Sequence, residues 1–186
     1  MVSVSASATA DDTAASPPRM IAVVAPSRLI SSLVTQSRLP GATADALSDL
    51  GTDDVVIVGG AAAVSGDVAD AIEDEGVSVA DRLAGDNRFL TSLAVAQASV
   101  DAGMDDSRLW VATGRAFPDA LVAGPAAAAS QAPLLLVHGT SMTAESDSAD
   151  WFDGRGPFGR LVLLGGEAAI TSGVANVIRS LAGFAA

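Results

Sequence analysis

The sequence predicts an α/β protein, a layered α/β/α arrangement with mainly parallel short strands, and three observations predict it. Short apolar runs without polar alternation recur along the chain, the pattern of strands covered on both faces. The stretches between them are long enough for helical crossovers and carry apolar residues at helical spacing. A strand-turn-helix pattern also occurs twice, which points to layers built from tandem repeats.

The elements follow in chain order. Met1 to Pro18 is rich in Ala, Ser, Thr and Asp, with neither a basic start nor a leucine-rich core, so it reads as a disordered leader rather than a signal peptide. Met20 to Ala25 is the first strand, and Thr43 to Leu50 the first helix. Val55 to Val58 is a strand that runs into Gly59-Gly60, with Ser65 placed to cap a helix over Gly66 to Glu75. From Phe89 to Ala102 the residues Phe89, Leu93, Ala96 and Val100 recur on one helical face, and Gly103 supplies the stop. Leu109 to Ala112, with Trp110 inside it, is a strand. Pro118 then fits the first turn of a helix over Asp119 to Ala129. Leu134 to Val137 is the next strand, the polar stretch Ala144 to Trp151 a further helix, and Leu161 to Leu164 the last strand. Thr171 caps the final helix, Ser172 to Leu181. The longest weakly apolar stretch, Ala120 to Val137, is broken by Gly124, Pro125, Ser130, Gln131 and Pro133, so no membrane insertion is expected.

The repeat is legible without gaps. Val55-Val-Ile-Val-Gly-Gly-Ala-Ala-Ala-Val-Ser65 aligns onto Leu161-Val-Leu-Leu-Gly-Gly-Glu-Ala-Ala-Ile-Thr171, and Val68 falls on Val174, a constant offset of 106 residues. Each copy takes a buried strand through Gly-Gly and small residues into a capped helix.

Composition excludes several functions. The formal net charge is -12, and each of the ten basic residues is Arg. Such a field repels nucleic acid, so no nucleic-acid partner is expected. Aspartate greatly outnumbers glutamate, a bias that with the missing lysine suggests a salt-adapted or GC-rich source. With no cysteine there are no disulfides, thiolate metal sites or cysteine nucleophiles. Aromatic residues make up 4% of the chain, which argues against binding by an aromatic platform.

Three stretches carry a family likeness: Arg82-Leu-Ala-Gly-Asp-Asn-Arg-Phe89, Gly114-Arg-Ala-Phe-Pro-Asp-Ala-Leu121 with the Ala-rich segment after it, and Leu164-Gly-Gly-Glu-Ala-Ala-Ile170. In this order they resemble the cell-wall-binding repeat type 2 of bacterial surface proteins, found also in archaea. The resemblance implies residues 81–186 as a complete repeat and residues 19–80 as the rear part of a preceding one, after the leader at 1–18. It further implies a non-catalytic module at the extracellular cell surface that binds an envelope glycopolymer. Members of the family commonly carry three repeats that pack about a pseudo-threefold axis, so one and two-thirds repeats raise self-association into a homo-oligomer as an alternative route to the same packing. A short Pro-apolar-Leu-Leu-Thr motif is linked in the family to polymer attachment; here Pro133-Leu-Leu-Leu-Val137 ends on Val137 where the hydroxyl belongs.

Each candidate residue has a chemical and a structural reading. Arg82, Arg88 and Arg115 suit phosphate or carboxylate oxygens, which the planar guanidinium fork matches; the first two would alternatively pair with Asp81, Asp86 or Asp119 to lock a turn. Asp119, beside Pro118, is placed to accept from first-turn N–H groups at a helix start. Gly59-Gly60 and Gly165-Gly166 permit close backbone approach before helix N-termini, without the pattern of a P-loop or dinucleotide site, and Gly85 lies in the small-residue turn between Arg82 and Arg88. His138 is the sole histidine, with no metal-ligand spacing or nucleophile motif beside it, and the acidic turn at Asp101, Asp105 and Asp106 lacks the spacing of a calcium loop. No catalytic residue, metal or cofactor is therefore expected. A self-assembling element of a surface layer and a small-molecule-binding α/β enzyme are the rival readings.

Overall fold

The computed structural model describes residues 19–25, 28–142, 147–152 and 154–185, with backbone alone for 19–33, 117 and 147. The leader read at 1–18 lies outside the described residues. The chain forms two compact units, Met1–Ala84 and Gly85–Ala186.

The first unit holds β1 (Arg19–Ala25), β2 (Arg28–Val34), α1 (Gly41–Leu50), β3 (Asp54–Val58), α2 (Gly66–Asp74) and β4 (Ser78–Leu83), its strands ordered β2-β1-β3-β4. β3 and β4 run parallel, joined by the α2 crossover, whereas β1 is antiparallel to both β2 and β3. Only two residues separate β1 from β2, too few for a crossover, so this sheet is mixed where the sequence predicts a mainly parallel one. β2 and β4 escape the sequence reading because neither is an apolar run. Ser31 and Ser32 interrupt β2, and β4 is an edge strand with exposed Ser78, Ala80 and Asp81. Val55 and Ile57 of β3 are fully buried against Val68 and Ile72 of α2, the 3.6-residue face that periodicity requires.

The second unit holds α3 (Arg88–Asp101), β5 (Arg108–Thr113), α4 (Phe117–Ala129), β6 (Leu134–Val137), α5 (Asp147–Asp150), β7 (Arg160–Leu163) and α6 (Ser172–Leu181). Its sheet, β6-β5-β7, is entirely parallel. Leu109, Val111, Leu135 and Val137 bury against Val174 and Ile178 of α6, and Trp151, Phe152 and Phe158 close one side of this core with ring centroids 5.8 to 6.2 Å apart. Trp110 is half-buried and its indole N–H donates to Ser130 Oγ at 3.0 Å. Asn87 caps α3 by accepting from the N–H groups of Phe89 and Leu90, one residue earlier than the apolar spacing suggests.

The strand-turn-helix unit read twice in the sequence has the same local geometry twice. Gly59 and Gly165 take φ of 123° and 102°, a region closed to side-chain-bearing residues. The Gly60 carbonyl accepts from Ala63 and Val64 N–H at 2.8 and 2.9 Å, and the Gly166 carbonyl from Ala169 and Ile170 N–H at 2.8 and 3.0 Å. The caps differ. Thr171 Oγ1 accepts from Val174 N–H at 3.4 Å, while Ser65, in the equivalent place, makes no capping bond and its buried hydroxyl has no hydrogen-bond partner among the described residues.

Gly139, just past β6, holds the second Gly-Gly turn in place. Its carbonyl accepts from Thr171 N–H at 2.8 Å, and a Cβ on it would lie 1.8 Å from the Ala169 carbonyl oxygen. Gly139→Ala should therefore destabilise the fold by about 1–3 kcal/mol or more, the range for overpacking. Gly173→Ala, where a Cβ meets nothing within 4 Å, should leave the denaturant midpoint unchanged or raised; equal midpoints for the two variants would contradict the packing described.

Candidate functional site

The carboxyl ends of parallel strands leave N–H groups and loop side chains facing one rim, the usual place for a ligand in an α/β sheet. In the second unit β5 delivers Gly114 and Arg115 to this rim, β6 delivers His138, Thr140 and Ser141, and β7 delivers Gly165 and Gly166.

The rim is internally braced. Arg88, the first residue of α3, donates from Nη1 to the Gly114 carbonyl at 2.9 Å. The Phe89 ring lies over Gly114, where an added Cβ would sit 2.6 Å from Cε1, and faces His138 with centroids 5.6 Å apart. Arg115 Nη1 stands 2.9 Å from His138 Nε2, and Ser141 Oγ stands 2.6 Å from His138 Nδ1. A guanidinium only donates, so Nε2 accepts and the imidazole proton belongs on Nδ1, directed at Ser141 Oγ. His138 thereby aims Arg115, whose side chain is exposed, across the rim. The arrangement presents guanidinium N–H groups and two hydroxyls to solvent, a set that recognises oxyanions and sugar hydroxyls. Among the described residues Ser141 and His138 have no carboxylate that orients them as a nucleophile and base, and no cluster of three or more His, Asp or Glu could hold a metal ion.

The three arginines singled out in the sequence are used differently. Arg88 and Arg115 meet at the end of β5. Arg82, at the end of β4 in the first unit, is half-buried, and its Nη1 donates to the carbonyls of Gly59 and Val64, both at 2.9 Å. It clamps the first Gly-Gly turn through backbone oxygens, not through Asp81, whose carboxylate instead accepts from the Arg82 N–H at 2.7 Å. Gly85 is the close approach beside it: a Cβ there would lie 2.4 Å from Leu90 Cβ. Pro118 occupies the first turn of α4 as expected. Asp119 lies in that turn too, yet among the described residues its carboxylate takes no first-turn N–H; Oδ2 lies instead against Gly165, 2.7 Å from where a Cβ would be. In the acidic turn Asp105 accepts from the hydroxyl and N–H of Ser107 and pairs with Arg108 Nε at 3.1 Å. Those Ser107 bonds, with the Arg108 charge, hold its carboxyl below the usual range.

A second cluster has no counterpart in the sequence reading. Arg108 and Arg160 are register partners on β5 and β7, and with Trp110 and Ser130 they line a groove of about 390 Å³. Like charges in this relation repel and ordinarily call for a counterion. The pairing brings together residues 52 apart in sequence, so no local pattern announces it.

Residues 82–175 match the model of the family described as Cell wall binding domain 2 (CWB2). The chain is 32% identical over 134 residues to the N-acetylmuramoyl-L-alanine amidase LytC of Bacillus subtilis (strain 168), a match covering 72% of this chain and 25% of that protein. It is 37% identical over 86 residues to the amidase enhancer of the same organism, covering 46% and 11%. Among solved structures it is similar to Cwp6 from Clostridium difficile (TM-score 0.71, 26% identity, 82% of this chain and 23% of that one) and to Cwp8 from the same organism (0.61, 25%, 82% and 24%). The chain spans a quarter or less of the length of each.

The Arg82 clamp should be worth about 1.5–3 kcal/mol, the range for hydrogen bonds from a charged donor. Arg82→Ala is expected to lower stability by that amount, with the largest loss of amide protection in β3, α2 and β4; unchanged hydrogen exchange there would show the clamp to be idle.

Proposed function

The chain belongs to the Cell wall binding domain 2 family, and from that premise we propose that it is a non-catalytic anchoring module that grips an anionic envelope glycopolymer at the carboxyl-end rim of the β5 sheet. The observation that carries this reading is Arg115: an exposed guanidinium aimed by His138, beside Arg88, Thr140 and Ser141, on a rim with no assembled nucleophile or metal site among the described residues. Phosphate or carboxylate groups on the polymer accept from Arg115 and from the N–H groups Arg88 keeps free of Gly114, while sugar hydroxyls exchange bonds with Thr140 and Ser141. The module would act outside the cell, at its surface, and needs no cofactor.

A net charge of -12 opposes an anionic polymer at long range. Screening or bridging cations must supply what the few arginines do not, so binding should strengthen with calcium or with moderate salt before weakening as salt screens the arginine contacts themselves. A second reading places the polymer in the Trp110 groove, where among the described residues Arg108 pairs with Asp105 and Arg160 has no carboxylate partner, and the half-buried indole lines the groove beside them.

Co-sedimentation with envelope from the source organism, intact or stripped of its secondary polymers, tests both. Saturable binding to intact envelope alone is expected, weakened about tenfold by Arg115→Gln, which removes a charged donor worth about 1.4 kcal/mol or more. A tenfold loss with Arg160→Gln and none with Arg115→Gln would move the contact to the Trp110 groove. Equal binding to stripped envelope would overturn polymer recognition.

A further inference from the structure

A guanidinium carries only donors, and the acceptor that the rim supplies to Arg115 is one that a proton removes. Arg115 Nη1 stands 2.9 Å from His138 Nε2, which accepts only while the imidazole is neutral. The other ring nitrogen, Nδ1, lies 2.6 Å from Ser141 Oγ and 3.4 Å from Thr140 Oγ1, hydroxyls that accept its N–H. Imidazole is the side chain that ordinarily changes charge between about pH 5 and 8. A proton arriving on Nε2 turns that nitrogen into a donor, and two cationic donors then face each other at hydrogen-bond distance.

The protein offers this pair no anion. The charged groups on the elements around His138 are Arg88 on α3, Asp86 just before it, Asp119 on α4 and Glu167 in the second Gly-Gly turn. Arg88 gives Nη1 to the Gly114 carbonyl and adds positive charge. The Asp119 carboxylate lies against Gly165, and among the described residues none of these three carboxylates bonds to Arg115 or His138. Arg115 is exposed and His138 half-buried, so an anion from solvent reaches both.

We infer that His138 is itself a ligand-binding residue of the rim, and that its protonation turns the brace into the second arm of a clamp: an oxyanion accepts from Nε2–H and from the Arg115 guanidinium in place of the bond between them. The proton comes from solvent and rests on Nε2. The bond gained joins opposite charges, whereas the bond given up joins Arg115 to a neutral ring. Protonation and anion binding therefore favour each other, and acid tightens the anion. The inference rests on the rim being the oxyanion site proposed above and adds the condition under which that site is strongest.

Inorganic sulfate is the probe, because it keeps its charge between about pH 5 and 8, the range in which an imidazole changes its own. The full chain is titrated with sulfate at constant ionic strength across that range, with NMR signals followed for the His138 ring, the only histidine of the chain, and for the Gly114, Arg115 and Gly139 to Ser141 amides. Affinity is expected to rise about tenfold as the ring takes up its proton, and saturating sulfate should move the ring's titration midpoint up by about one pH unit, the same factor read from the proton side. His138→Gln, whose amide oxygen still accepts from Arg115 but takes no proton, should bind sulfate equally across the range. The ring titration of the unmutated chain carries the test if that variant folds poorly. A pH-independent affinity, an unmoved ring midpoint, or the full acid rise in a folded His138→Gln chain would each overturn the inference. Equal binding to intact and stripped envelope with the sulfate linkage intact would remove the polymer and keep the inference.

Discussion

A parallel strand that must enter a helix within a few residues has to reverse without leaving its carbonyls and N–H groups stranded in the core. The Gly-Gly turn solves this twice here. Its first glycine takes a positive φ, and the carbonyl of its second accepts two N–H groups, which seats Val64 in one copy and Ile170 in the other as the first apolar residue under the helix. The rest of each unit is set by that direction: Val68 and Ile72, or Val174 and Ile178, reach the sheet only because the helix starts there. The turn in turn needs outside support. Thr171 N–H is held by the Gly139 carbonyl, and Ser65 N–H by the Gln36 carbonyl at 2.8 Å.

This constraint explains how scarce positive charge is divided. A turn built from glycine offers carbonyls and no side chains, and a guanidinium can satisfy two carbonyls at once from a single planar group. Arg82 is used in that way, so its place in a recurring sequence pattern reflects packing of the first unit. Arg88 does the same for Gly114 with one nitrogen, while Arg115 is held by a side chain, His138. An arginine tied to backbone carbonyls is fixed by the fold; one tied to an imidazole at an exposed rim keeps most of its donors for a ligand. The structure thus separates three arginines that look equivalent in the sequence.

Most of the architecture was legible because buried parallel strands are unbroken apolar runs and the Gly-Gly element recurs at a fixed offset. Leu134–Val137 and Ser172–Leu181 stand at the boundaries read from sequence. Edge strands are illegible by the same logic. β4 buries little, so Ser78, Asp81 and Arg82 are admitted and no apolar run remains to be seen. Of the candidate site the sequence offered Arg88 and Arg115 as residue types only: the Arg88–Gly114 bond joins residues 26 apart, and the Arg108–Arg160 pairing depends on strand register. Asp119 was placed correctly on its helix and misread in its contact, since Gly165 has no side chain to keep the carboxylate away from it.

The acidic surface bears on what such a module can hold. Attraction to an anionic chain cannot come from the field of the whole protein, which is repulsive, so selectivity must reside in short-range donors whose geometry is fixed before the ligand arrives. The rim is suited to that demand: among the described residues His138 holds Arg115 without a neutralising carboxylate, the donating guanidinium sets the imidazole tautomer, and the Ser141 hydroxyl accommodates it at the other ring nitrogen. Had an aspartate stood in place of His138, the guanidinium would be equally well positioned but already neutralised. A brace without a carboxylate leaves the positive charge available to a ligand, and in a protein of this net charge that is the feature on which the polymer recognition proposed for the rim would depend.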